Sequence, residues 1–192
     1  MKYTTRSIAL IGTVLACPLL FAATYTAQQG EPLVEAIKQA NHANIKQVFN
    51  QGFDVNDEIR GDGTPLIIAA RNGDLNLTEH LIDIGADVNQ ISLGNGNPLI
   101  AAVQGKNITV VERILQQGVN IDANVENDET ALINASHMGN LEMVRYLVEQ
   151  GGADINLAVN AKTSNGVVLR SPLNMAKTPE VKNYLITRGA TL

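Results

Sequence analysis

Three histidines, one cysteine and nineteen carboxylates are the groups in this 192-residue chain best suited to acid–base, nucleophilic or metal chemistry, and their spacing favours none of it. His42, His80 and His137 are far apart, and none has a second His or a Cys at metal-ligand spacing. The single thiol, Cys17, sits in an apolar run near the start of the chain. Asp54, Asp87 and Asp154 recur in similar turns, where hydrogen bonds to nearby backbone account for them. No G-x-S-x-G elbow is present to expose a nucleophilic serine. No catalytic residue, no cofactor and no metal ligand is therefore expected, and the chain reads as non-enzymatic. With 14 basic against 19 acidic side chains, a net charge of −5 and no basic stripe, nucleic acid is not an expected partner.

The residues that remain can contribute only as surface, so the elements that place them matter most. Lys2 and Arg6 precede an apolar stretch from Ile8 to Ala23, which ends in the small residues Ala22 and Ala23, and the first acid is Glu31. This is the pattern of an export signal over residues 1–23, followed by a short linker at 24–30. The sixteen-residue apolar run is interrupted by Pro18 and is shorter than the ~20 residues a spanning helix needs, so membrane insertion of the mature chain is not expected. Val14-Leu15-Ala16-Cys17 offers an alternative, a lipidated Cys17. Cleavage after Ala23 would leave 12 basic against 19 acidic side chains, a charge of −7, and no cysteine. That composition suits a periplasmic, secreted or lipid-anchored protein.

After the leader, one period organises the chain. Gly52, Gly85, Gly118 and Gly151 lie 33 residues apart, as do Pro32, Pro65 and Pro98, then Leu33, Leu66, Leu99 and Leu132, then Ala36, Ala69, Ala102 and Ala135. The glycines suit left-handed helix ends. The prolines suit first helical turns, with Thr64, Asn97, Thr130 and Ser171 before the turn as caps. A second helix follows in each unit, with Leu75, Thr78, Leu81 and Ile82 recurring as Ile108, Val111, Ile114 and Leu115, then as Leu141, Val144, Leu147 and Val148.

Thr64-Pro65-Leu66-Ile67-Ile68-Ala69 and Gly85-Ala86-Asp87-Val88-Asn89 resemble the ankyrin repeat, whose motif runs T-P-L-H-x-A and closes on G-A-D-V-N. Ile67, Ile100 and Ile133 stand where the motif has His, so the side-chain bond from that His to the adjoining turn is absent. The resemblance implies an all-α solenoid at 31–192, of about five helix-turn-helix units joined by short β-hairpins. The expected units are 31–56, 57–89, 90–122, 123–156 and 157–192. His42 and Asn44 replace apolar residues in the first unit, as an exposed terminal cap would, and Phe53 replaces a small Ala where it can cover that end. The link before the last unit is enlarged, and Asn165-Gly166 reads as the turn of a longer hairpin across Asn160–Arg170.

Such a stack leaves a concave face of first helices and hairpin tips. One row across it is Lys38, Arg71, Gln104 and His137, and the neighbouring row includes Asn72 and Met138. The tips add Ile59, Arg60, Ile91, Leu93, Val125, Glu126 and Asn127. Polar rows beside exposed apolar groups suit a protein-binding face. The expected function is a monomeric, exported module that binds an envelope protein. That partner could be a periplasmic enzyme that it supports, or a toxin that it neutralises. The alternatives are a hydrolase or small-ligand site near the 160–170 hairpin, and a structural envelope component anchored through Cys17.

Overall fold

The computed structural model describes residues 33–39, 41–50, 52–124, 129–163 and 166–191. The leader, Cys17 and the tip residues Val125, Glu126 and Asn127 lie outside them. Helices follow one another in pairs: α1 (33–38) and α2 (His42–Asn50), α3 (Pro65–Asn72) and α4 (Leu75–Asp83), α5 (Pro98–Gln104) and α6 (Ile108–Leu115), α7 (Ala131–Met138) and α8 (Leu141–Glu149). Two strands, β1 (Val159–Thr163) and β2 (Gly166–Arg170), precede the last pair, α9 (Pro172–Met175) and α10 (Pro179–Thr187). Among the described residues no helix is long and apolar enough to cross a membrane.

The predicted local signals act as expected. Thr64, Asn97, Thr130 and Ser171 accept hydrogen bonds from the backbone N–H three residues on, and Pro65, Pro98 and Pro172 occupy the first turn. The second helices carry caps of their own, Asp74, Asn107, Asn140 and Thr178. Helices of nine residues or fewer are marginal alone, so their stability must come from the stack. The first helices form one layer, α3 on α5, α5 on α7 and α7 on α9, while α4 meets α6 and α8 meets α10 in the other.

Leu66, Leu99 and Leu132 with Ala69, Ala102 and Ala135 are buried in the inner layer, as their spacing requires. In the outer layer Leu77, Val110 and Met143 are fully buried, although the sequence stripe pointed to Leu75, Ile108 and Leu141, which pack at its margin. Phe53 is 5% exposed and meets Phe49 edge-on at 6.2 Å, which seals the core beside α2. Thr78 occupies the slot that Val111 and Val144 fill, and its hydroxyl is buried without a hydrogen-bond partner. Thr78→Val should therefore raise stability by about 1 kcal/mol, read as a higher urea midpoint with an unchanged m-value. An unchanged or lower midpoint would show that the hydroxyl costs nothing where it is.

Side chains also bind one unit to the next. The Asn56 amide accepts from the Asp87 N–H at 2.7 Å and donates to the Gly85 carbonyl at 3.3 Å. Asn156 repeats this with the Thr191 N–H at 2.8 Å and the Gly189 carbonyl at 3.3 Å. Asp122 takes the same place between them and accepts from the Asp154 N–H at 3.0 Å. A carboxylate has no N–H to give back, so this rung lacks the return bond that Asn56 and Asn156 make.

The glycine series needs one correction. Gly52, Gly85 and Gly118 are left-handed, with φ of 96°, 100° and 78°, but at the fourth position that role passes from Gly151 to Gly152, with φ of 73°. Gly151 is needed for space instead: a Cβ there would lie 2.8 Å from the Leu147 carbonyl oxygen and would collide with Ile121 Cδ1. One extra residue has lengthened this helix end, and the Ala153 N–H reaches back to Leu147 where Ala86 and Ala190 reach one residue less far.

The enlarged link is a hairpin, but its two-residue connection is 164–165, one residue before the expected Asn165-Gly166 turn, and Gly166 is the first residue of β2. β1 and β2 pair antiparallel, from Val159 opposite Arg170 to Thr163 opposite Gly166, across a connection of two residues. Two earlier links are tighter, each closed by a single bridge, Ile59 with Gly63 and Ser92 with Gly96.

Candidate binding face

The row predicted from the period is present on the first helices, and it does more than face solvent. Lys38 is exposed on α1. Arg71, half-buried at the end of α3, donates from Nη2 to the Asn95 carbonyl at 3.3 Å and to Asn95 Oδ1 at 3.2 Å in the next link. Asn95 in turn donates to the Gly61 carbonyl at 3.5 Å. Gln104 is exposed but reaches Asn134 Oδ1 on α7 at 3.4 Å. The row thus braces successive units while it presents polar groups outward. Asn72 is exposed, and Met138 is half-buried beside His137.

His137 lies 3.7 Å from Oε2 of Glu129, whose carboxylate is 5% exposed. The other oxygen of Glu129 meets Arg170 Nη1 at 2.6 Å. Arg170 ends β2, so this buried carboxylate joins the concave row to the last hairpin. Sequence reasoning placed His137 in the row but gave Glu129 no role, because nothing in the local pattern marks a carboxylate between units for burial.

The tips divide into two kinds. Ile59 is 5% exposed and belongs to the core, so it is not the surface group its place in a tip suggested. It bonds backbone to backbone with Gly63, and its repeat equivalent Ser92 is buried in the same way. Positions 59 and 92 therefore both point inward. Arg60 is exposed, Ile91 is 51% exposed and Leu93 is 85% exposed. Ile67, Ile100 and Ile133 are fully buried. Ile67 Cγ2 would lie 3.1 Å from a Cβ at Gly63, so apolar packing under the turn replaces the missing histidine bond.

Elsewhere the side chains serve structure. Tyr184 on α10 is pushed up from the ordinary phenol value by burial and by its hydrogen bond to Glu149, so it stays protonated and donates to that carboxylate at 3.0 Å. Arg145 lies over the same ring, 4.7 Å from its centre, which ties α8 to α10. Among the described residues no group of three or more His, Cys, Asp or Glu could hold a metal ion. Two open depressions mark the surface, one lined by Asn72, Lys106, Thr109 and Glu142 and one by Glu112, Leu115, Ile121 and Tyr146.

Residues 66–159 match the family described as ankyrin repeats (3 copies). No curated protein matches the chain.

Proposed function

Because the chain belongs to the ankyrin-repeat family and is a protein–protein interaction module, we propose that it acts after export, holding a protein of the cell envelope against its concave face without catalysing a reaction. The observation that carries this reading is the row from Lys38 through Arg71 and Gln104 to His137, polar along its length, with Arg71 and Gln104 held by bonds to the next unit and His137 beside Glu129. Side chains already held in place lose little freedom on association, so a rigid face of this kind gains affinity from preorganisation. Export rests on Lys2, Arg6 and the apolar run to Ala23, and a periplasmic location follows from it. The proposed partner is one macromolecule held by a monomeric chain, whether an enzyme it supports or a toxin it neutralises.

Crosslinking in intact cells from a photoreactive residue at position 104, with identification of the attached protein, tests this directly. The variant Arg71→Glu with Gln104→Glu should capture that protein about tenfold less well, a loss of ~1.4 kcal/mol, with helical content unchanged. Asn95→Ala serves as the control, since it weakens the brace on Arg71 without altering the charge of the face. Equal capture by the charge-altered variant would remove the concave row from the binding site.

A further inference from the structure

Two of the junctions between outer helices pair a guanidinium with a carboxylate. Between α4 and α6, Arg113 lies 3.9 Å from Glu79 Oε1 and 3.5 Å from Asp83 Oδ1. Between α8 and α10, Arg188 donates to Glu149, and Arg145 and Arg188 lie 4.7 and 5.3 Å from the centre of the Tyr184 ring. The junction of α6 and α8 has the same framework without a cation of its own. One period on from Glu79 and Arg113 stand Glu112 and Tyr146. Tyr146 precedes the buried Leu147 as Tyr184 precedes the buried Leu185, and both leucine carbonyls accept from the following turn, at Ala153 and Ala190. Counted from these tyrosines, Gln150 takes the place of Arg188. Among the described residues Glu112 makes no ion pair and the Tyr146 hydroxyl makes no hydrogen bond. Burial and the charge of Glu112 push the Tyr146 phenol up from its ordinary value, so it stays protonated beside that carboxylate. Here the surface opens into a depression of about 470 Å³, whose lining joins the apolar Leu115, Val119 and Ile121 to Glu112, Gln116 and Gln150.

The neighbouring junctions show what such a framework holds. A guanidinium lies flat on a tyrosine ring and can fork its N–H groups onto a carboxylate and onto amide oxygens, while its stem packs on apolar side chains. A lysine ammonium is compact and strongly hydrated, and it lacks the planar face. Small-molecule sites bury most of their ligand, which an open depression does not, so the cation has to arrive as part of something larger. The net charge of −5 favours the approach of a basic surface. We propose that the depression between α6 and α8 accepts an arginine side chain presented by another protein, its stem along Leu115 and Ile121 and its guanidinium between the Glu112 carboxylate and the Tyr146 ring. The site lies in the outer layer, apart from the concave row, and stands whether or not that row binds a partner.

The probe is an end-capped pentapeptide, Ala-Val-Arg-Val-Ala, titrated into the full chain and followed by NMR, with a Kd of ~1 mM expected. Shifts should centre on the Tyr146 ring and on the amides of Glu112 and Gln116. Citrulline in place of arginine keeps the shape and removes the charge, and should weaken binding about fivefold, whereas lysine should weaken it about threefold. Glu112→Gln should lower affinity about fivefold, while Glu180→Gln, the same change of charge on α10, should leave it unchanged. Tyr146→Arg supplies a guanidinium from the chain itself, as Arg113 does one unit earlier, and should abolish peptide binding without lowering the urea midpoint. The Arg71→Glu, Gln104→Glu variant should bind the peptide as the natural chain does, so loss of one site can be told from loss of the other. Equal binding of the citrulline peptide would overturn the proposal, as would shifts away from Tyr146 or binding retained by Tyr146→Arg. Ethylguanidinium that binds as tightly as the pentapeptide would make a free cation the occupant. Dimers that form with concentration and vanish in Glu112→Gln would make it a second copy. Either result overturns the arginine of a partner.

Discussion

Gly105→Ala should lower stability by about 3 kcal/mol, at the upper end of what overpacking usually costs. Gly105 ends α5 with an ordinary right-handed backbone, φ of −68° and ψ of −11°, so its freedom to adopt unusual angles is not what the position needs. What it needs is the missing side chain. A Cβ would lie 2.5 Å from the Arg71 carbonyl oxygen and 2.7 Å from that of Ala70, both on α3. Neither oxygen can swing aside as a side-chain tip could, so α3 and α5 would have to separate. That would disturb the contact that buries Leu66, Ala69, Leu99 and Ala102. Gly94→Ala is the control. Gly94 has φ of 81° with nothing within 4 Å of an added Cβ, so only backbone strain of ~1 kcal/mol applies. Urea unfolding of both variants separates the two costs. A loss at Gly105 no larger than that at Gly94 would mean that the inner helices can slide apart cheaply.

The contrast between these glycines marks how far the sequence could be read. Thr64 before Pro65 and Asn97 before Pro98 announce helix starts because a cap satisfies groups within three residues, and such local chemistry is written in order along the chain. The repeating period gave the pairing of helices and placed Arg71, Gln104 and His137 on one face. It could not show that Arg71 holds Asn95 or that Gln104 reaches Asn134, since those bonds depend on how one unit sits on the next. Gly151 and Gly152 were ambiguous for a related reason. A left-handed turn and a close approach both call for glycine, and only the contact with Leu147 and Ile121 says which is which. Ile59 and Leu93 are both apolar tip residues, yet one closes a backbone bridge over the core and the other sits at the outer bend. The hairpin at 159–170 was legible from Asn165-Gly166 to within one residue, since Gly166 pairs with Thr163 instead of forming the turn. The exposure of its second strand was not, because Val167-Val168-Leu169 reads equally well as a buried run.

Arg170→Ala should cost about 2–3 kcal/mol and loosen the last hairpin while the inner units keep their protection. The Glu129 carboxylate is 5% exposed, and Arg170 Nη1 meets it at 2.6 Å. Losing one member of a buried pair leaves a charge in a poorly solvated place, a larger penalty than the pair's net worth. Arg170 is 29% exposed, which admits some water and puts the cost below the 3–5 kcal/mol typical of fully buried pairs. Two further measurements separate this cause from simple loss of side-chain packing. Adding Glu129→Gln to Arg170→Ala removes the stranded charge and should recover about 1 kcal/mol or more, whereas lost packing would not be recovered. Amide exchange should quicken in β1 and β2 but not in α5 and α6, because the Glu129 pair ties the hairpin to the link before α7. His137, 3.7 Å from the same carboxylate, should show a changed ring signal although it lies on the concave row. If Arg170→Ala leaves both stability and hairpin exchange unchanged, Glu129 is not the join between the hairpin and the concave face.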